Sequence, residues 1–299
     1  MTDPRDPSRR RALTFGAGLV ALACSRREQE SAASARQRMP VAFVGHGAPT
    51  LATDPQKGGE LRAWAASMFE RFGRPRSILV ISAHWQATPT TIGATTPVPL
   101  LDDFYGFPEE ISAIEYPAPG APALADRTIA LLGADVRRKP SRGLDHGAWI
   151  PLLHIAPEAD IPVLQLSLPS GLQPRALIEL GRTLAVLRDE GVLLLGSGNV
   201  THDLRSLDPS ESRPTPEWAQ AIDQWTEQTL AARDLAKLIE YRGEAPEFEE
   251  HHPTEEHWQP LLIVAGAGLG VEGGEQAEVR FPITGFEFGS ISRRCVEIS

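Results

Sequence analysis

Three histidines stand where apolar segments of the chain end. His46 lies between two glycines after the run VAFV, His84 closes the run ILVISAH, and His202 follows LLLGSGNVT. Neutral imidazole is the commonest metal ligand among protein side chains. If the apolar runs are parallel strands, their carboxyl ends meet at one edge of a sheet, where ligands bind in α/β folds. The spacing therefore predicts that the three imidazoles face one crevice.

Two further histidines occupy boundaries between predicted elements. His146 lies in the glycine-flanked turn GLDHGAW, and His257 lies in EEHWQPLL, at the entry to a predicted core helix. A single histidine in an apolar segment is more often a packed core residue than a ligand, and we interpret His154 in this way. Five histidines at element boundaries are not explained by packing alone.

The segments around these histidines alternate between strand-like and helix-like patterns. Strand-like runs are PVAFVGHG, RSILVISAHW, IPVLQLSL and VLLLGSGN, whereas ELRAWAASMFERF and HWQPLLIVAGAG have helical patterns. A further helix is predicted with Thr215 as N-cap and Pro216 as its first residue. Apolar strands alternating with helices indicate an α/β fold, a single domain with a mostly parallel central sheet covered by helices on both faces. The C-terminal residues 278–298 predict a β-hairpin or two edge strands.

The composition excludes several classes of function. The chain has 29 Lys and Arg residues against 39 Asp and Glu residues, which gives a formal net charge of −10. Such a chain, without a basic stripe, is not expected to bind nucleic acid, because phosphate neutralisation requires positive charge. Two cysteines, Cys24 and Cys295, are too few for a disulfide scaffold or a cysteine-based zinc site. A metal must therefore be held by histidines and carboxylates.

The N-terminal residues 1–38 have the pattern of an export signal and a tether. Ser8–Arg11 is a basic segment, and the short apolar run ALTFGAGLVALAC follows it. The paired arginines resemble a twin-arginine signal, and the sequence before Cys24 resembles a lipoprotein cleavage site. We expect the twin-arginine export machinery to be a partner, with a lipid anchor at Cys24 as an alternative end state. The expected location is the periplasm or the outer face of the membrane, with residues 39–299 as the catalytic domain.

Seven motifs resemble, in this order, those of the class III extradiol ring-cleavage dioxygenases (LigB-like). They are GHGAP, SAHW, DFYGFP, YPAPG, GLDHGAWIPL, SGNVTHDL and EHWQPLL. The 4,5-DOPA dioxygenase branch is the most similar, over roughly residues 40–290. The resemblance implies one divalent metal, Fe(II) for activity or Zn(II) as found, and O2 as co-substrate. It implies metal ligation by His46, His84 and His257. It further implies that His202 faces the metal as a fourth ligand or as a base, and that His146 is catalytic through proton transfer.

Substrate-side residues are also predicted, and the segment DFYGFP resembles the substrate-side loop of the family. Phe104 and Tyr105 lie in DFYGFP, where their rings either stack on a catechol or anchor a loop. His252 follows the acidic run FEEH and lies either in a solvated loop or in the lining of the pocket. Asp145, beside His146, is a candidate for orienting an imidazole, as carboxylates near metal sites often do.

The ligand set and the reaction leave alternatives open. Glu255 and Glu256 precede His257, so a carboxylate third ligand is conceivable, as in other non-haem Fe(II) oxygenases. The implied reaction inserts both atoms of O2 into a catecholic, DOPA-like aromatic, whose ring opens to a muconic semialdehyde. A zinc-dependent hydrolase that uses the same histidines is the alternative. A third interpretation is a non-catalytic periplasmic binding or metal-carrier protein, which would hold a metal without turnover.

Overall fold

The part of the chain that the computed structural model describes, residues 38–299, alternates between strands and helices. The strands are β1 (Val41–Gly45), β2 (Ser77–Ala87), β3 (Thr91–Ile92), β4 (Arg137–Arg138), β5 (Val163–Pro169), β6 (Val192–Gly198), β7 (Val279–Arg280), β8 (Phe286–Glu287), β9 (Ile291–Ser292) and β10 (Val296–Ile298). The helices are α1 (Pro55–Phe72), α2 (Glu109–Ser112), α3 (Pro122–Leu132), α4 (His146–Ile155), α5 (Pro174–Leu184), α6 (Glu217–Ala231), α7 (Leu235–Ile239), α8 (Tyr241–Glu244), α9 (Phe248–His251) and α10 (Gln259–Leu269). Short 3₁₀ turns lie at Pro49–Thr53, Ala185–Arg188, Leu204–Ser206 and Gly274–Gln276.

Most of the strands join one eight-stranded sheet in the order β4-β3-β5-β2-β6-β1-β10-β7. The central strands β5, β2, β6 and β1 run parallel to one another. Strand β10 pairs antiparallel with β1, and β7 pairs antiparallel with β10. The predicted mostly parallel α/β sheet is confirmed. The C-terminal segment contains both of the predicted arrangements, since β8 and β9 form a separate antiparallel hairpin while β7 and β10 extend the sheet.

Two apolar cores lie on the two faces of this sheet. Val41 and Phe43 pack into one core and Ala42 and Val44 into the other, as expected for a strand whose successive side chains point to opposite faces. The first core contains the apolar residues of α5 and α10, and the second contains those of α1 and α4. Because both faces are covered, the central strands are apolar along their length and show no polar alternation.

Two helix starts can be compared with the expectations from sequence, and one of them enters the site. Helix α4 begins at His146, and the Asp145 side chain caps it by accepting a hydrogen bond from the Ala148 N–H at 3.1 Å. His146 therefore stands in the first turn of a helix. The expected cap at Thr215 is wrong by one residue, because Pro216 occupies the cap position of α6 without a side-chain hydrogen bond.

The predicted export signal, tether and Cys24 anchor fall in residues 1–37, outside the described residues, and Arg38 is the last position of that predicted segment. Within residues 38–299, no helix combines the length and the apolar character that a membrane crossing requires.

Candidate metal centre

Five histidines come together at the carboxyl end of the parallel strands. His46 follows β1 directly, His84 lies near the carboxyl end of β2, and His202 lies in the loop after β6. The ring of His84 has its centre 4.9 Å from that of His46, 3.9 Å from that of His146 and 4.8 Å from that of His257. His202 stacks on His257 with ring centres 3.4 Å apart. The structure thus brings together all five histidines that the sequence places at element boundaries.

The nitrogen atoms of this cluster have the spacing of ligands around one ion. Nε2 of His46 lies 3.1 Å from Nε2 of His84. Two nitrogens that each lie about 2.1 Å from one ion are about 3.0–3.4 Å apart at octahedral to tetrahedral angles. The ring nitrogens of His46, His84 and His146 also meet the spacing criterion for a shared ion, with one atom from each residue within 4.8 Å of the others.

His257 supplies the clearest sign that the cluster is built for a metal. Its side chain is buried, and its Nε2 has no hydrogen-bond partner among the described residues. Its Nδ1 lies 3.2 Å from Oε1 of Glu256. A buried polar atom left without a partner costs about 1–3 kcal/mol, and a cation bound at Nε2 would remove that cost. The donor set, which consists of imidazoles with one carboxylate beside them, suits a divalent transition metal.

Burial and neighbouring rings keep the imidazoles of His46, His84, His202 and His257 neutral, which is the form that binds metals. Burial, followed by the Coulomb effect of His146, lowers the pKa of His84 to about 3. Burial also lowers the pKa of His202 to about 4. The pKa values of His46 and His257 lie well below the ordinary value, again through burial first and neighbouring imidazoles second. Each ring therefore offers a lone pair at neutral pH.

Glu255 and Glu256 have different positions relative to this cluster. Both carboxylate oxygens of Glu255 accept hydrogen bonds of 2.6 Å from the guanidinium of Arg242, so this side chain pairs with Arg242 and not with the histidines. Glu256 lies beside Nδ1 of His257. Its carboxylate and the ring nitrogens of His202 and His257 form a second set of possible ligand atoms within 4.8 Å of one another. Of the two carboxylates that the sequence left open, Glu256 is the one within reach of the metal site.

The His146 imidazole is held by Asp103. Oδ1 of Asp103 lies 3.1 Å from Nδ1 of His146 and accepts a hydrogen bond from its backbone N–H, also at 3.1 Å. Burial opposes ionisation of Asp103, but the hydrogen bonds from His146 outweigh it and hold the pKa of this carboxyl below its ordinary value. The expectation that Asp145 orients an imidazole is not met. Asp145 instead caps α4 and is 2.5 Å from Nε2 of Gln165.

Of the predicted substrate-side residues, Phe104 lies beside the histidine cluster, whereas Tyr105 is exposed and His252 is bonded elsewhere. Phe104 lies edge-on to His146, with ring centres 5.6 Å apart. The Tyr105 side chain is 94% exposed. His252 is buried, stacks on Phe248, and has Nε2 2.7 Å from the carbonyl oxygen of Val200. Substrate contact by Tyr105 and His252 stays a prediction.

His154 has the structural role that its apolar segment predicts. It is buried, with Nε2 2.8 Å from the carbonyl oxygen of Leu51 and Nδ1 3.0 Å from the Arg62 guanidinium. These contacts account for both ring nitrogens, and they lie on α1 and the preceding turn.

The residue that the sequence missed is Asp103. It is part of the DFYGFP motif but lies 43 residues from His146, and no rule of spacing links an irregular loop to a helix start at that distance. The available signal was the presence of a carboxylate inside a motif that carries aromatic residues.

Comparison with known proteins identifies the class of this site. Residues 40–287 match the family described as the catalytic LigB subunit of aromatic ring-opening dioxygenase. The chain belongs to this family. It is an extradiol ring-cleavage dioxygenase, an oxidoreductase whose chemistry uses a divalent metal and O2.

Individual relatives and one solved structure agree with this assignment. The chain is 40% identical to 4,5-DOPA dioxygenase extradiol from Beta vulgaris over 75% of its length and 85% of that protein. It is 37% identical to 4,5-DOPA dioxygenase extradiol from Escherichia coli K12 over 87% of its length and 95% of that protein. The crystal structure of the uncharacterized protein JW3007 from Escherichia coli K12 has a TM-score of 0.70 and 34% identity, covering 88% of this chain and 100% of that one.

Proposed function

We propose that this enzyme opens the ring of a catecholic aromatic of the DOPA type, with both atoms of O2 entering a muconic semialdehyde product. Relatives that are 40% and 37% identical carry the name 4,5-DOPA dioxygenase extradiol. The site supports a planar aromatic substrate, since the Phe104 ring stands beside His146 at the edge of the histidine cluster.

The observation that carries the proposal is the convergence of imidazole nitrogens from three elements of the fold. Nε2 atoms of His46 and His84 lie 3.1 Å apart, and Nε2 of His257 is buried with no partner in the described chain. We assign these three residues as ligands of one divalent ion. We assign His202 as the fourth, since its ring lies against His257 and its ligand atom lies within 4.8 Å of those of His257 and Glu256. Bound Fe(II) would act as a Lewis acid toward the catechol oxygens and would let electrons pass to O2.

We assign proton transfer to His146. Its Nδ1 faces Asp103, so the Nδ1–H donates to that carboxylate and Nε2 is left to accept a proton. A catechol hydroxyl loses its proton to Nε2 as the substrate binds, and the proton returns to an oxygen of the substrate as the ring opens. The Asp103 carboxylate stabilises the imidazolium between these two steps.

Both Fe(II) and Zn(II) fit the donor set, and we propose Fe(II) as the active metal. Zinc binds nitrogen and oxygen sites more tightly than Fe(II) does, so purified protein is expected to contain zinc unless iron is loaded. Family membership favours the dioxygenase over the zinc-dependent hydrolase and over a metal carrier.

The test is anaerobic Fe(II) loading of the metal-free full chain, followed by oxygen uptake with DOPA, unsubstituted catechol and a catechol that carries a carboxylic acid. One O2 consumed per substrate, together with a new visible absorbance, is the expected result. His84→Ala should lose metal and uptake together, whereas His154→Gln, which removes a histidine outside the cluster, should keep the metal. Ester hydrolysis by the zinc form without oxygen uptake would support the hydrolase, and bound metal without any turnover would support the carrier.

We further propose that the enzyme is exported by the twin-arginine machinery and acts on an extracellular aromatic. The arginine pair within Ser8–Arg11 and the apolar run after it support this location. Replacing Arg9 and Arg10 with lysine should retain the enzyme in the cytoplasmic fraction, and replacing Cys24 with serine should release it from membranes if that residue is lipidated.

A further inference from the structure

A buried hydroxyl group connects the first predicted metal ligand to the helix that carries His146. Ser197 lies on β6 and is fully buried. Its Oγ is 2.9 Å from Nδ1 of His46 and 2.5 Å from the carbonyl oxygen of Gly147. The contact with His46 is at Nδ1 and leaves Nε2, the atom 3.1 Å from Nε2 of His84, free of Ser197. Ser197 is therefore a partner of a predicted ligand and is not itself a predicted ligand.

Because the Ser197 hydroxyl has a single hydrogen, the donor and the acceptor in each of its two hydrogen bonds can be assigned. A serine hydroxyl has one hydrogen to donate and two lone pairs that accept. The Gly147 carbonyl oxygen can only accept, so the Ser197 hydrogen is committed to it. The contact with His46 must then be a hydrogen bond that Nδ1–H donates to Oγ. A neutral imidazole has only one N–H, so Nε2 of His46 carries a lone pair.

Pro151 explains why the Gly147 carbonyl needs this hydroxyl group. In an α-helix, the carbonyl of each residue accepts from the N–H four positions later. For Gly147 that position is Pro151, which lies inside α4 and has no N–H. A buried carbonyl without a donor is costly, and Ser197 supplies the donor from the neighbouring strand.

Gly147 itself is required for this close approach. A Cβ at this position would lie 2.6 Å from Oγ of Ser82, 2.8 Å from Cδ2 of His84 and 3.3 Å from Cε1 of His46. The backbone of α4 therefore rests directly on two predicted ligands, and its position is fixed relative to both.

We propose that Ser197 is a positioning residue that holds His46 in the Nδ1–H tautomer, so that Nε2 is permanently available to the metal. The proline at position 151 makes the arrangement one-directional, because it leaves the Gly147 carbonyl as the obligatory acceptor of the serine hydrogen. This inference rests on the assignment of His46 as a ligand in the proposed function. It predicts that loss of the hydroxyl group weakens metal binding even though Ser197 never touches the ion.

The first measurement is the tautomer of His46 in the metal-free full chain, read from long-range ¹H–¹⁵N spectra with His46→Gln for assignment. Wild-type protein should show Nδ1–H, and observation of Nε2–H as the main form would overturn the proposal without any variant of Ser197. In Ser197→Ala the Nε2–H form should gain population, because the acceptor for Nδ1–H is gone.

The second measurement is Zn(II) affinity by chelator competition. Loss of a partner of a metal-bound histidine typically costs about 10–100-fold in affinity, which we expect for Ser197→Ala. Ser197→Thr keeps the hydroxyl group and should restore most of that affinity. The control is Ser167→Ala on β5, which removes another fully buried serine hydroxyl that accepts from the Thr91 N–H at 2.9 Å. It should lower the thermal midpoint of metal-free protein comparably and leave Zn(II) affinity unchanged.

These outcomes separate the inference from the proposed function. Zn(II) affinity of Ser197→Ala within about twofold of wild type would refute the role of Ser197 while leaving oxygen uptake by the wild type untouched. An equal loss of affinity in Ser197→Thr would refute it as well. Tight Zn(II) binding that depends on Ser197, in a chain that consumes no O2 with any catechol, would uphold the inference and overturn the proposed reaction.

Discussion

The exchange of Asp103 for asparagine tests whether a carboxylate charge is needed beside the proposed base. Oδ1 of Asp103 accepts from both the backbone N–H and Nδ1 of His146 at 3.1 Å, and an asparagine Oδ1 can accept both in the same geometry. Hydrogen bonds to charged groups contribute about 1.5–3 kcal/mol, against about 0.5–1.5 kcal/mol for neutral ones. The Asp103 side chain is 26% exposed, so we take the low end of the difference.

A loss of about 1–1.4 kcal/mol in transition-state stabilisation corresponds to a fall in kcat of about 5–10-fold. Asp103→Ala removes the acceptor altogether and should lower kcat by about another order of magnitude, because the imidazole loses its orientation as well as its charge partner. The assay is steady-state oxygen uptake by the Fe(II)-loaded full chain, with metal content measured on the same samples. Metal content should be unchanged in both variants, since Asp103 hydrogen-bonds to none of the four proposed ligands.

Asp102 provides a matched control in the same loop. Its Oδ1 accepts a hydrogen bond from Ser112 at 3.2 Å, so Asp102→Asn removes one charge at almost the same place and should leave kcat within about twofold of wild type. Wild-type kcat in Asp103→Asn would show that the charge of Asp103 does not assist proton transfer. Loss of metal in that variant would instead place Asp103 in support of the ligands, and the role of His146 would have to be reassigned.

Three further substitutions test other parts of the structure. Glu256→Gln should weaken Zn(II) binding about tenfold through His257, whereas Glu255→Gln, which breaks an ion pair outside the cluster, should not; equal affinities in chelator competition would contradict this. Gly147→Ala should lower the free energy of unfolding by about 1–3 kcal/mol, since its Cβ would meet a serine oxygen at 2.6 Å, and urea titration with unchanged stability would contradict the packing argument. Asp223→Ala removes an acceptor of buried Arg294 at 2.5 Å and of Ser292 at 2.6 Å, and it leaves Glu227, 2.8 Å away, as the remaining carboxylate partner of Arg294. This change should cost about 1–3 kcal/mol in the same titration, and a cost below about 1 kcal/mol would show that Glu227 compensates for the lost carboxylate.

The position of the histidine cluster was predictable because it depends on a periodic feature of the chain. Parallel apolar strands must end at a common edge, and His46, His84 and His202 follow three such strands. The contribution of His257 was also readable, since it stands just before a helix that is apolar on all sides and must be buried. For these residues the local pattern fixes the global position.

The partners of those histidines were not predictable for a physical reason. Ser197 and Asp103 reach their imidazoles across 151 and 43 residues of chain, through contacts that depend on strand order and on the path of an irregular loop. Sequence proximity favoured Asp145 beside His146, but an aspartate immediately before a helix caps that helix, and its side chain was therefore already committed. The hydrogen-bond partners of the histidines are visible in the sequence as residues, but their pairing depends on the folded geometry.

Both glycines beside His46 are explained by what the C-terminal segment places against them, and at Gly45 a Cβ would lie 2.9 Å from the carbonyl oxygen of Arg294. Gly47 has a φ of +62°, and a Cβ there would lie 1.9 Å from Oε1 of Glu287. Glu287 is buried, accepts a hydrogen bond from the Ala48 N–H at 2.8 Å, and forms an ion pair of 2.8 Å with Lys57. A carboxylate from the C-terminal hairpin thus occupies the space that a side chain at position 47 would need. Its hydrogen bond with the Ala48 N–H also fixes the turn that follows His46. The first proposed ligand in the sequence is positioned by an acid that lies more than two hundred residues later. The orientation of His46 is therefore a property of the closed domain, because β1 alone cannot hold this side chain in place.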